Sequence, residues 1–423
     1  MKITILTAGT GSYYCGACMR DNALAREFIS MGHEAHLVPM YLPLQLDEDR
    51  VDEATPVFFG GINVYLQQKY RLFRWLPRWV DRLFNKRGLL RAVAKRSHLT
   101  SPKEQGEMTT LMLRLEESNL GKELDKLVEW LELDGRPDVI VLSNALLAGL
   151  IRELKERLDV SVVCTFQGED SFLDSLPKPW CDNAWQEMAL RVQEADALVS
   201  PSQYYAGVME SRLGLLANSI EVIPNGIDLS GYKEKGKCEG KRIGYLARMC
   251  HSKGLGLLVD AFIHLNDSSL ELAIAGTMGG GDQVYVEGLQ KKLEKAGLGS
   301  CVKWFPDLDR DAKVEFLRSL SVFSVPVTYP EAFGLYLIEA MACGVPVVMP
   351  SASAFPEIVE STGCGILVAP GSDKGLARGI RGVLKSPDRE SIGKKGRRAV
   401  QERYHVGAMA ADFERIFGKV VQK

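Results

Sequence analysis

The chain has 423 residues, 46% hydrophobic and 25% charged, with 52 Lys and Arg against 54 Asp and Glu. Such a length implies two to three domains, each with its own core, and a net charge of −2 gives no global reason to expect nucleic acid as a partner. Nine cysteines, at 15, 18, 164, 181, 238, 250, 301, 343 and 364, are scattered, several inside apolar strands or helices, which points to a reducing compartment and not to a disulfide framework.

In chain order, the first half offers strands at residues 3–7, 36–39, 138–142, 160–165, 196–200 and 220–223, with helical periods at 21–31, 145–157 and 202–213. The opening strand follows no charged leader, and no apolar run is long enough to span a bilayer, so a cytoplasmic location is expected. Between residues 69 and 96 ten basic residues face one acid, Asp81, and Leu72, Trp75, Leu76, Trp79, Val80 and Leu83 recur at helical spacing. Two readings of this stretch stand side by side. One is a basic amphipathic helix on an anionic membrane surface; the other is a lid packing its aromatic face on the first domain. The second half restarts the rhythm with strands at 242–246, 270–275, 302–305, 322–325, 345–349 and 365–368, and helices at 255–265, 284–296 and 313–320. Strand–helix alternation in two blocks predicts an α/β protein of two doubly wound, Rossmann-like domains, each with a parallel sheet and ligands at the carboxyl ends of its strands. The join falls in the Gly- and Lys-rich residues 225–240, giving domains 1–229 and 230–406 and a terminal helix in 407–423.

Three motifs carry chemistry. Glu331 and Glu339 bracket a Phe-Gly turn and the first turns of an apolar helix. Backbone N–H groups at Phe333, Gly334 and Leu335 are donors without helical partners, where an anion is favoured. Glu339 lies about 7.5 Å further up the axis at 1.5 Å per residue, with its side chain tilted back toward the N-terminus, which suits a ribose beyond two phosphates. Upstream, Arg248 and Lys253 follow the strand ending at Leu246, and a guanidinium fork and a mobile ammonium both match phosphate. In the first half, a glycine-rich turn, Gly9-Thr-Gly-Ser-Tyr-Tyr-Cys-Gly16, follows the first strand. It does not form a G-x-G-x-x-G fingerprint, and its Cys15-Gly-Ala-Cys18 lacks the second ligand pair a metal site needs.

These residues resemble the retaining glycosyltransferases of family 4. Residues 331–339 match that family's E-x7-E signature, 246–254 its Arg…Lys-Gly phosphate loop, and Pro224-Asn-Gly-Ile-Asp228 its end-of-first-domain motif. The resemblance implies the GT-B fold, with two domains facing a central cleft and the last helix crossing back onto the first. It implies an enzyme that moves a sugar from a UDP- or GDP-sugar to an acceptor (glycan, lipid or small molecule) that the sequence does not name, with retention at the anomeric carbon and no cofactor. Arg248 and Lys253 would hold the diphosphate, with the N–H groups of Phe333, Gly334 and Leu335 beside it. Glu339 would bind the ribose and Glu331 the donor sugar, while Gly11 and Gln167 complete the site. Gln167 stands where the family commonly has a His; it can hydrogen-bond a hydroxyl but cannot shuttle a proton. That suits a mechanism in which the leaving phosphate takes the acceptor's proton. Glu169 or Asp170 offers a base instead, or caps the next segment. Asp307-Leu-Asp309 matches a D-x-D metal motif but reads as a helix cap at Asp309, so no metal is expected. The alternatives are a catalytically silent GT-B protein that binds a nucleotide sugar or glycan, and a nucleotide-sugar epimerase of the same fold.

Overall fold

Parallel strands buried on both faces read as unbroken apolar runs, and the runs of this chain form two such sheets. The computed structural model describes residues 1–9, 16–44, 46, 50–51, 55–59, 101–117, 120–234, 241–279 and 281–421. Gly11 and residues 69–96 lie outside them. The chain divides into two compact units, 1–223 with 409–423, and 224–408.

The first unit is built on six parallel strands, β1 (Lys2–Thr7), β2 (Glu34–Pro39), β3 (Val139–Leu142), β4 (Ser161–Thr165), β5 (Ala197–Ser200) and β6 (Glu221–Val222), in the order β2-β1-β3-β4-β5-β6. Val139 to Leu142 are all buried, as a central strand requires. The single helix expected at 145–157 is instead a 3-10 segment, Ala145–Leu150, running into the helix Ile151–Leu158. Asn144 tightens its start by accepting from the Leu146 N–H at 3.1 Å. A Cβ on Gly149 would come within 2.0 Å of the Met112 carbonyl, so this segment lies directly against the helix Pro102–Leu113. The last helix, Val406–Val420, buries Met409, Ala410, Phe413, Ile416, Phe417 and Val420 at helical spacing. Phe417 meets Phe28 with ring centroids 5.5 Å apart, and Ser161 Oγ donates to the Val420 carbonyl at 3.0 Å.

The second unit repeats the plan with β7 (Arg242–Leu246), β8 (Glu271–Gly276), β9 (Val302–Pro306), β10 (Val322–Phe323), β11 (Val347–Pro350) and β12 (Gly365–Val368), in the order β12-β11-β10-β7-β8-β9. The chain builds β7, β8 and β9 outward in one direction, then returns to lay β10 on the other side of β7. The strand order therefore reverses between β7 and β10, and in open α/β sheets the ligand crevice lies outside the carboxyl ends at such a point. No helix among the described residues is long and apolar enough to cross a membrane.

Candidate active site

The turn after β7 carries Arg248 and Lys253. Gly254 closes it with φ +73°, and a Cβ there would sit 1.8 Å from the Pro326 carbonyl oxygen, so only glycine lets the turn press against the chain leaving β10. Ser252 completes that contact, its carbonyl accepting from the Thr328 N–H at 2.9 Å. The two loops flanking the reversal point are thus held together by backbone.

The chain after β10 delivers Glu331, whose N–H donates to Ser353 Oγ at 3.0 Å. Its Oε2 accepts from Lys253 Nζ at 2.6 Å, Tyr329 Oη at 2.7 Å and Tyr336 Oη at 2.8 Å. Lys253 Nζ also bonds Tyr329 Oη and lies 4.8 and 5.3 Å from the centroids of the Tyr329 and Tyr336 rings, within cation–π range. Burial, with the Glu331 charge second, pushes both phenols well above the usual tyrosine value, so both remain donors. All three donors fall on Oε2, and the side chain is 13% exposed. Lys253 and Glu331, each singled out by sequence, come together as an ion pair.

The helix Leu335–Ala342 begins at Gly334 with no side-chain cap. Among the described residues the N–H groups of Phe333, Gly334 and Leu335 have no acceptor outside the helix, so they keep their affinity for an anion. Glu339, on the same helix, is also 13% exposed. Its Oε1 accepts from Tyr232 Oη at 2.7 Å and from Lys313 Nζ at 2.8 Å. Arg310 lies 5.6 Å from the Tyr232 ring and donates to the carbonyls of Asp228 and Ser230 at 3.1 and 3.0 Å. Arg248 reaches Asp282 Oδ2 at 2.7 Å through Nε, and its side chain is 57% exposed. The same carboxylate oxygen accepts the Gly279 N–H at 2.7 Å. Tyr329, Tyr336, Tyr232 and Lys313 were not foreseen. Tyr336 alone had a local signal, since a first-turn side chain leans back toward the residue preceding its helix.

Asp309 is the N-cap of the helix Arg310–Arg318, accepting from the Ala312 N–H at 2.9 Å. Among the described residues no three His, Cys, Asp or Glu side chains gather into a metal site, and no disulfide joins two cysteines.

In the first unit, Gln167 follows β4. The residues after it correct one expectation. Glu169 and Asp170 are 3% and 4% exposed, and both oxygens of Glu169 are occupied by donors described below. A carboxylate so placed has no lone pair to offer an acceptor hydroxyl, so Glu169 is not a general base. Nor does it cap the following helix, because the N–H groups it takes precede it.

Residues 233–399 match the model of "Glycosyl transferases group 1", and residues 106–230 that of "Glycosyltransferase Family 4". The chain belongs to the family 4 glycosyltransferases. Among curated relatives of this family 4 chain, D-inositol 3-phosphate glycosyltransferase of Segniliparus rotundus is 25% identical over 218 residues, 48% of each protein. Phosphatidyl-myo-inositol mannosyltransferase of Mycobacterium leprae is 29% identical over 211 residues, 47% of this chain and 53% of that protein. The matches thus span about half the length of these relatives. Over whole chains, the fold is that of sucrose-phosphate synthase from Thermosynechococcus elongatus, with TM-score 0.73, 17% identity and full coverage of both chains. It is also that of Anabaena HepE solved with UDP-glucose, with TM-score 0.67, 18% identity and coverage of 99% and 100%. Both are GT-B glycosyltransferase folds of two Rossmann-like domains, the architecture expected from the sequence.

Proposed function

We propose that the protein transfers a glycosyl group from a nucleotide-diphosphate sugar to an acceptor with retention at the anomeric carbon. The observation that carries this reading is the convergence, at the β7/β10 reversal, of an ammonium, a carboxylate with one oxygen not engaged by those donors, and an uncapped helix N-terminus. Lys253 and Arg248 hold the diphosphate, assisted by the N–H groups of Phe333, Gly334 and Leu335. They stabilise the charge that accumulates on the leaving group, where fixed cations and dipoles contribute most. Glu331 Oε1 accepts from a hydroxyl of the transferred sugar and Glu339 binds the ribose; on the first unit, Gln167 and Gly11 take part in substrate binding. The bond from the anomeric carbon to the phosphate oxygen breaks, and the bond to the acceptor oxygen forms on the same face. The acceptor's proton passes to that phosphate oxygen, and the nucleoside diphosphate leaves.

HepE, solved with UDP-glucose, supports a UDP-sugar as the first donor to try. A ligand that binds only the folded state raises its apparent stability. A panel of UDP-, GDP- and ADP-sugars is expected to give a concentration-dependent rise in Tm for one base, followed by turnover of that donor. No rise and no turnover with any of them would end this reading. For residues 69–96 the basic amphipathic sequence pattern supports either attachment to anionic lipid or a lid with its aromatic face on the first domain and its basic face toward solvent or an anionic acceptor. Flotation with acidic liposomes at low salt separates the two: binding that weakens with salt supports attachment, and its absence supports the lid.

A further inference from the structure

In the first unit, β3 ends beside the 3-10 segment Ala145–Leu150, β4 ends at Phe166-Gln167-Gly168, and β5 leads into the helix Gln203–Leu213. One side chain ties all three. Glu169 Oε1 accepts from the Ala145 N–H at 2.9 Å and the Gln167 N–H at 3.0 Å. Its Oε2 accepts from the Gln167 N–H at 2.8 Å, the Gly168 N–H at 3.0 Å and Tyr205 Oη at 3.1 Å. Tyr205 is fully buried, lies 3.0 Å from Asp170 Oδ1, and is anchored by its own N–H donating to Ser202 Oγ at 3.0 Å.

Among the described residues, the partners of this carboxylate are main-chain N–H groups and a phenol, with no cation. Burial raises its proton affinity, and these donors oppose that rise. Taking a carboxylate out of water without a counter-ion is costly, and satisfying the same N–H groups with a neutral carbonyl would cost less. What a carboxylate provides in addition is acceptors on both oxygens, so it can fix two consecutive N–H groups of one loop while reaching two other elements. The loop it fixes bends through Gly168 at φ +105°, a conformation other residues rarely adopt.

We infer that Glu169 is a positioning residue, its buried carboxylate holding the Gln167–Gly168 backbone against Ala145 and Tyr205 so that the Gln167 side chain is set at the carboxyl end of β4 for a substrate hydroxyl. The inference rests on the glycosyl-transfer reading, because that reading gives Gln167 a hydroxyl to bind. An amide cannot replace this carboxylate. It offers one acceptor oxygen, and its NH2 must face either the Ala145 or the Gly168 N–H, leaving that donor unpaired, whereas the phenol still has Asp170 Oδ1. The position of Gln167 is then lost, while Arg248, Lys253 and Glu339 of the second unit keep their own partners.

The test compares wild type, Glu169→Gln and Tyr205→Phe as full chains, with UDP-glucose as donor and water as acceptor, and with UDP binding measured separately. The expected result for Glu169→Gln is a kcat lower by about 10²-fold, the scale of an ångström misplacement, with KM for UDP-glucose and Kd for UDP within about two-fold of wild type, a tolerance below one hydrogen bond. Tyr205→Phe removes one of the donors and is expected to lower kcat about five-fold, again at constant KM. Wild-type kcat in folded Glu169→Gln overturns the inference and leaves the transfer reading intact. Equal losses in kcat and UDP affinity also overturn it, because they report general disruption. If Glu169→Gln does not fold, Tyr205→Phe decides, and unchanged kcat overturns the inference. A wild-type protein that turns over neither UDP-glucose nor any donor of the panel fails at the prior step and takes this assignment with it.

Discussion

Glu169 and Glu331 each follow a parallel strand of a doubly wound unit, and each gathers several donors, but in opposite ways. Main-chain N–H groups supply most of the bonds to Glu169, and both oxygens are consumed. Side chains supply the bonds to Glu331 (an ammonium and two phenols), and all fall on one oxygen. Main-chain donors cannot leave without unfolding the loop, so the first arrangement is a fixed frame. A lysine has rotatable bonds and can move to a diphosphate when one arrives. The difference teaches that a carboxylate's role is read from what its partners can do and not from its burial alone.

The comparison breaks first at Glu331. Glu331→Ala is expected to lower kcat about 10²-fold, comparable to removing one electrostatic contact at the transition state. Because Lys253 Nζ sits 2.6 Å from this carboxylate, Lys253→Ala and Glu331→Ala should couple, and the double variant should lose less than the product of the single losses. Strictly multiplicative losses in steady-state kinetics would show that the two act apart.

Glu339→Ala sharpens the contrast within one helix. It removes the acceptor for Tyr232 and Lys313, and UDP affinity should fall by about ten-fold or more, as expected for a hydrogen bond to a charged group. The kcat at saturating donor should hold. A titration in which UDP binds Glu339→Ala as tightly as wild type would remove Glu339 from the nucleotide site.

Tyr336→Phe takes one donor from Glu331 and leaves Lys253 and Tyr329 in place, so kcat should fall about five-fold. The pH dependence of stability has a defined sign here. Tyr329 and Tyr336 hold their protons more tightly folded than unfolded. The stability this contributes is complete below the unfolded tyrosine value, about 10, and is lost as pH rises above it. Removing Tyr336 should therefore flatten the fall of Tm above pH 10, and an unchanged slope would mean that its phenol does not contribute. The smallest expected effect is that of a chelator. With Asp309 engaged as a helix cap, transfer should persist in excess EDTA. Loss of activity restored by Mg²⁺ or Mn²⁺ would return Asp307 and Asp309 to the site.

Both sheets were legible in sequence because each central strand is a short apolar run, and such runs do not depend on distant partners. The cap at Asp309 was legible for the same reason, since its acceptor and donor are three residues apart. What escaped was long-range. Glu331 and Lys253 were each found by pattern, but their ion pair joins two loops, and no periodicity reports it. Tyr232 and Lys313 come to Glu339 from separate elements. In sequence Glu169 reads as a base or a cap because Ala145 and Tyr205, which occupy its lone pairs, are 24 and 36 residues away. The split at 145–157 escapes the sequence because hydrophobic spacing does not separate a 3-10 turn from an α-turn when all six residues of the turn are apolar and five of them are buried.

The last helix has a consequence for how the molecule is made. Residues 409–423 belong to the same unit as residues 1–223, and Phe413, Ile416 and Phe417 are part of its interior. That interior is therefore encoded in two pieces separated by the whole of the second unit. During synthesis the second unit is complete, and free to fold as a continuous stretch, before the first has its final side chains. A fragment of residues 224–408 is then the one to express alone, whereas residues 1–223 alone would expose Phe28 where Phe417 should lie. The first unit can therefore finish its interior only once the whole of the second has been synthesised, although its strands come first in the chain.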